Sequence, residues 1–175
     1  MQPQHNPCAF AGMCIYICGV DMSAVIELTS EIAADSETIL ANARNNTQLA
    51  GLLYSGDISP ADAWHLFEYK DALLIDVRTV EERESVGYVP GSLHVAWAIG
   101  NPMEKNPRFV RELESKAGKL DVILFLCRSG KRSVAAAETV SRLGFKNVFN
   151  VTEGFEGESS LKNGWINRNL PWVKS

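Results

Sequence analysis

Two short, unbroken apolar runs constrain this chain more than any other feature. Ala72-Leu-Leu-Ile-Asp-Val77 and Val122-Ile-Leu-Phe-Leu126 lack the in-out alternation of a half-exposed strand, so each must be covered on both faces, the mark of a parallel sheet. Leu93-His-Val-Ala-Trp97 reads as a short strand or extended segment, and Asn147-Val-Phe-Asn-Val151 as a last strand. Helix signals lie between them. Asp35 to Leu53 carries Ile39, Leu40, Ala43 and Leu49 near helical spacing, with Asp35 or Ser36 as cap. Gly56-Asp57 breaks that pattern. Ser59-Pro60-Ala61-Asp62 opens a second helix, with Ser59 as N-cap, Pro60 at the first position, Asp62 as the capping-box acid and Ala63, Leu66 and Phe67 inward. Arg78 to Ser85, Pro107 to Lys116 and Val134 to Leu143 are helix-prone, the last two closed by Gly118 and Gly144. Strands alternating with helices at this spacing imply parallel pairing and right-handed crossovers. The predicted class is α/β, with helices on both faces of a small parallel sheet.

Composition narrows the function classes. Seventeen basic against twenty-one acidic residues give a net charge of −4, which argues against a nucleic-acid binder. The longest uncharged apolar stretch, Cys8 to Val20, is thirteen residues, too short for the roughly 20 that a bilayer requires. It also lacks the basic flank of a signal peptide. Four cysteines are too few for a disulfide scaffold, and Cys8, Cys14 and Cys18 crowd one end while Cys127 stands alone. That distribution suits a reducing, cytoplasmic setting with one thiol of interest. The spacing of His5, Cys8, Cys14 and Cys18 fits no compact metal-binding pair, so neither metal nor cofactor is expected.

The chemistry concentrates after the most apolar strand. Ligands of open parallel sheets bind beyond the carboxyl ends of the strands, and Cys127 holds that place. The loop after it curls into a helix N-terminus, where backbone N–H groups and the helix dipole favour an anion. Arg128, Lys131 and Arg132 add three cations. Such surroundings favour the thiolate, which is the nucleophile. A Walker phosphate loop would need glycine where Phe125 stands. A phosphatase loop would need arginine six residues after the cysteine, where Ser133 stands and Arg132 comes one place early.

At this point the chain resembles the single-domain rhodaneses, thiosulfate sulfurtransferases of bacterial type. The resemblance rests on Leu74-Ile-Asp-Val-Arg78 with Glu81-Glu82, on Tyr88-Val-Pro-Gly-Ser-Leu-His94, and on Cys127-Arg-Ser-Gly-Lys-Arg-Ser133. Glu153-Gly-Phe-Glu-Gly157, Asn163-Gly-Trp165 and Leu170-Pro-Trp172 extend it, so that it covers about residues 57–175 in the family's order. It implies a three-layer fold of about five strands, with 35–175 as one domain and 1–34 as a largely disordered extension. It also implies that Cys127 takes sulfane sulfur from thiosulfate or a related small anionic donor. The sulfur then passes as a persulfide to cyanide or a thiol. Arg128, Ser129, Gly130, Lys131, Arg132 and Ser133 would form the binding loop, the two cations after Gly130 favouring the charged thiosulfate. Asp76 and Arg78 would support it, with Arg78 ordering the loop through Glu82 or Glu81. His94 reads as a satisfied histidine, and Trp97, Trp165 and Trp172 as core or cap residues. A phosphatase or arsenate reductase on the same fold, or a binding module without catalysis, are the competing readings. A monomer without membrane or nucleic-acid partners is expected.

Residues 1–21 hold no cation and no clear periodicity, and ordering them would cost about 1–2 kcal/mol per residue. They are expected to be a mobile tail, or an extension upstream of a start at Met22. A chain beginning at Met22 should keep its melting temperature and its sulfur-transfer rate in a paired melt and cyanide assay. Loss of activity in a folded short chain would bring Cys8, Cys14 or Cys18 into the reaction.

Overall fold

The computed structural model describes residues 22–100, 102–158 and 160–174, with backbone alone for 22–34. The elements are helix α1 (Met22–Ala50), strand β1 (Gly56–Ile58), helix α2 (Pro60–Glu68), strand β2 (Leu73–Asp76) and helix α3 (Val80–Val86). Strands β3 (Leu93–His94), β4 (Ala98–Ile99) and β5 (Glu104–Lys105) follow, then helix α4 (Phe109–Glu114), strand β6 (Val122–Leu126), helix α5 (Lys131–Arg142) and strand β7 (Asn147–Val151). Five strands form one parallel sheet in the order β1-β7-β6-β2-β3, and β4 pairs with β5 in a small antiparallel ribbon. No helix among the described residues is long and apolar enough to cross a membrane.

The unalternating runs are buried on both faces, as the pattern requires. Ile75, Ile123, Phe125, Cys127 and Val148 pack with Phe109 and Leu113 of α4 and with Ala136, Ala137 and Val140 of α5. Leu74, Leu124, Leu126, Phe149 and Val151 pack on the other face with Leu40 and Ala43 of α1, Ala63 and Leu66 of α2, Phe155 and Trp165. Each fully buried side chain of this size stabilises the fold by about 1.5–3 kcal/mol. Cys127 therefore belongs to the α4/α5 face. Strand order adds a further constraint: from β2 the chain moves outward to β3, and from β6 it moves the opposite way to β7. The crevice between the carboxyl ends of β2 and β6 is thus the topological switch point, the usual ligand position in such sheets.

Several local expectations are corrected. Gly56-Asp57 is no break but the start of β1, paired with β7 from Gly56 opposite Phe149. Three residues with one glycine leave too little pattern to read. Helix α1 begins at Met22, because no glycine or proline interrupts the chain before Gly51, so residues 22–34 of the expected extension are helical, while 1–21 lie outside the described residues. Ser36 is not its cap; its hydroxyl donates to Asp71 Oδ2 at 2.6 Å. Leu49, in the last turn of α1, is 88% exposed, and Leu53, beyond the helix end at Ala50, is 55% exposed. Only Leu93–His94 of the 93–97 segment joins the large sheet. Helix α5 starts at Lys131, not at Val134, because Gly130 adopts a left-handed φ of 86° and turns the chain at once. Ser59 caps α2 as expected, accepting from the Asp62 N–H at 3.2 Å.

Gly56 sets the depth at which α1 docks. A Cβ there would lie 2.7 Å from the Ala43 carbonyl carbon and oxygen and 2.8 Å from its Cβ, against backbone that cannot swing aside. Gly56→Ala should lower the unfolding free energy by about 1–3 kcal/mol in urea titration. An unchanged midpoint would show that α1 is free to lift from β1.

Candidate active site

The loop after β6 is held from behind. Phe155 N–H donates to the Cys127 carbonyl at 2.8 Å, and the N–H groups of Glu156 and Gly157 donate to the Arg128 carbonyl at 3.0 and 3.1 Å. In a planar trans peptide the N–H points opposite to the carbonyl. Drawing those two carbonyls backward therefore turns the N–H groups of Arg128 and Ser129 forward. They and the Gly130 N–H donate to no acceptor among the described residues, and the first-turn N–H groups of α5 have none within the helix. With the positive end of the α5 dipole, the loop forms a nest for an anion. Gly154 permits this contact: its φ is 69°, and a Cβ there would lie 2.5 Å from the Cys127 carbonyl oxygen and the Arg128 carbonyl carbon.

Cys127 is buried at 1% exposure. Its Sγ lies 3.2 Å from Ser133 Oγ, and the Ser133 hydroxyl donates to the Gly130 carbonyl at 2.9 Å. That hydroxyl carries a single proton. While it donates to Gly130, the sulfur contact is met by the thiol proton; a sulfur anion would take the hydroxyl proton instead. Ser133 is fully buried and Ser129 half-buried.

The three loop cations differ in their commitments. Arg132 is bidentate to Glu82, with Nη1 to Oε2 at 2.7 Å and Nη2 to Oε1 at 2.6 Å. Arg128 Nε is 3.5 Å from Glu156 Oε2 and largely exposed. Lys131 is exposed and makes no ion pair or hydrogen bond among the described residues. The Glu82 hydrogen bonds raise the Arg132 value above its ordinary one against the opposing effect of burial, with smaller contributions from the charges of Glu82, Cys127 and Asp76. Burial alone would push Glu82 upward. The Arg132 hydrogen bond, the Thr79 N–H and the charges of Arg132 and Arg78 outweigh it and hold Glu82 below the ordinary glutamate value.

Asp76 and Arg78 form a fully buried pair beside the loop. Arg78 Nη2 donates to Asp76 Oδ2 at 2.7 Å and to the Gly87 carbonyl at 2.7 Å, and its backbone N–H to Asp76 Oδ1 at 3.0 Å. Arg83 Nη1 adds a bond to Asp76 Oδ2 at 3.0 Å. Arg78 Nη1 has no hydrogen-bond acceptor among the described residues, but the guanidinium lies 4.0 Å over the Phe155 ring. The expectation that Arg78 pairs with Glu82 or Glu81 is corrected here. Glu82 is drawn instead into the α3 capping box, accepting from the Thr79 N–H at 2.9 Å while the Thr79 hydroxyl accepts from the Glu82 N–H at 3.3 Å, and its carboxylate then faces Arg132. His94 is satisfied as expected, its Nε2–H donating to the Arg78 carbonyl at 2.8 Å.

Two supports take roles that the sequence did not assign. Glu82, expected as a partner of Arg78, holds Arg132 instead; Thr79-x-x-Glu82 is a capping-box signature that could have found its other role. Glu153, quoted only as part of a motif, is the second. It adopts φ 62° directly behind Gly130 and is fixed by Arg168, through Nε at 2.7 Å and Nη2 at 2.5 Å, and by the Gly164 N–H at 2.8 Å. Trp165 is fully buried, and Trp97 packs edge-on against Phe109.

Comparison with known proteins gives a family match. The Rhodanese-like domain family matches residues 59–160. An uncharacterised protein of Rickettsia rickettsii is 39% identical over 113 residues, 61% of this chain and 87% of that protein. The chloroplastic thiosulfate sulfurtransferase 16 of Arabidopsis thaliana is 32% identical over 99 residues, 55% of this chain and 76% of that protein. The crystal structure of Rv0390 from M. tuberculosis superposes with a TM-score of 0.62 at 34% identity, over 70% of this chain and 99% of that one.

The depressed Glu82 value makes the loop pair pH-dependent. In the interval below 4.5 the folded chain binds fewer protons at Glu82 than the unfolded chain does. The stabilisation is therefore complete above pH 4.5 and is lost as pH falls through the folded value. Glu82→Gln should lower the urea-unfolding free energy at neutral pH, and its gap from wild type should close on acidification. A gap independent of pH would show that the charge of Glu82 is not what holds Arg132.

Proposed function

The chain belongs to the rhodanese-like domain family, and on that footing we propose that it is a sulfurtransferase carrying sulfane sulfur on Cys127. The observation that supports this best is the thiol at the switch point, inside a nest of N–H groups that no acceptor among the described residues uses. The Cys127 thiolate attacks the outer sulfur of a small donor. A bond forms between Sγ and that sulfur, the donor's own sulfur–sulfur bond breaks, and its electron pair leaves with sulfite when the donor is thiosulfate. The persulfide is anionic, and the forward-facing N–H groups of Arg128 and Ser129 and the Ser133 hydroxyl stabilise its terminal charge, as an oxyanion hole does. A thiol or cyanide then attacks the terminal sulfur and returns Cys127 as thiolate, a two-step covalent route. No general acid is required when the leaving group is already an anion, which suits a site where Asp76 and Arg78 bind each other. A phosphatase role is disfavoured, because Arg132 is held by Glu82 and not free to clasp a phosphoryl group.

Cys127→Ser tests the reading. The wild-type chain should gain one sulfur atom by intact mass after incubation with thiosulfate or a persulfide donor, and cyanide should remove it. The variant should melt at the wild-type temperature, take up no sulfur and lose thiocyanate formation by several orders of magnitude. Undiminished turnover in the serine variant would overturn the proposal.

A further inference from the structure

The loop carries three cations in sequence but presents far less charge in the folded chain. Arg132 is held bidentate by Glu82 at 2.6 and 2.7 Å, and Arg128 faces Glu156 at 3.5 Å. Three cations less the two carboxylates leave a formal excess of one, and Lys131 is the cation without a partner among the described residues. A thiolate attacking thiosulfate brings an anion against a dianion, so three negative charges would gather in front of that excess of one. A thiolate attacking a protonated organic persulfide gathers only one. The sulfur is also deep, at 1% exposure for Cys127, which favours a donor whose reacting end is a single file of atoms over one bearing a sulfonate head next to the transferred sulfur.

We propose that the preferred sulfur donor at Cys127 is a low-charge organic persulfide, R–S–SH, with thiosulfate a poor second. This rests on the sulfur-carrier reading above and names its donor. The step balances without any oxidant: the Cys127 thiolate attacks the terminal sulfur, the Sγ–S bond forms as the R–S bond to that sulfur breaks, and R–S⁻ leaves with the electron pair. The proton stays on the transferred sulfur and is then released to water, leaving an anionic persulfide that one cation and the N–H nest can balance. Glu82 and Glu156 are specificity-determining residues in this scheme, because each cancels a cation that a dianion would need.

The experiment follows Cys127 loading of the full chain by intact mass, with thiosulfate and with cysteine persulfide as donors. Wild type should load about tenfold faster or more from the persulfide. Glu82→Gln and Glu156→Gln should each shift the thiosulfate-to-persulfide ratio toward thiosulfate, by about tenfold where the freed arginine reaches the donor. Glu156→Gln leaves the α3 capping box intact, so the test survives if Glu82→Gln unfolds the chain. Faster loading of wild type from thiosulfate, or a ratio that neither folded variant moves, would overturn the proposal. If neither donor adds sulfur to Cys127, the sulfur-carrier reading itself fails. Equal loading from persulfidated serum albumin would support the same chemistry with a protein-borne donor.

Discussion

The buried contact between Asp76 and Arg78 ties together every part of the structure that meets at the site. A guanidinium with no exposure is costly to bury, and it is stable here because each of its environments compensates the charge. Asp76 closes one side at 2.7 Å, the Gly87 carbonyl ends α3 on another, and the Phe155 ring covers its face at 4.0 Å. Phe155 is the residue whose N–H holds the Cys127 carbonyl. One side chain therefore fixes the end of β2, the exit of α3 and the segment that shapes the cysteine loop. Asp76 also holds Arg83 at 3.0 Å, so losing Asp76 is the costlier change: it leaves Arg78 buried without a counter-ion among the described residues, a loss of about 3–5 kcal/mol.

The two faces of the sheet divide the labour. The α1/α2 face is closed by large side chains from distant parts of the chain, among them Trp165 and Trp64 in a T-shaped contact with ring centres 6.1 Å apart, and it supplies the C-terminal segment that supports the loop. The α4/α5 face carries the thiol. Because Phe125 and Cys127 share that face while Leu124 and Leu126 point the other way, the simple alternation along β6 decides on which side the sulfur emerges.

Much of this was legible in the residues. The apolar runs gave the buried strands, and the place of Cys127 after the most apolar of them put a thiol at the switch point. Ser59-Pro60 gave the start of α2. What local pattern could not give was pairing at a distance. Glu82 and Arg132 are fifty residues apart, and nothing in either segment's periodicity points to the other; the cations of the loop therefore read as free when two of them are engaged. Strand β1 was hidden for a similar reason, since three residues become a strand only because β7 lies beside them. Arg78 was correctly placed but given the wrong partner, because the capping box claims Glu82 through a short-range competition that Asp76 wins for the arginine by being two residues away.

The backward pull on the Cys127 and Arg128 carbonyls has a consequence for how fast charge can come and go at the sulfur. Water around a free thiolate must reorient each time the anion grows, shrinks or moves outward by one atom. Here the dipoles that face the sulfur are peptide groups whose directions were set when Phe155, Glu156 and Gly157 docked behind them. The loop acts as a solvent already frozen in its final orientation. On the proposed route, loading and unloading a sulfur atom would leave the backbone still, the work of reorganisation having been done once, during folding.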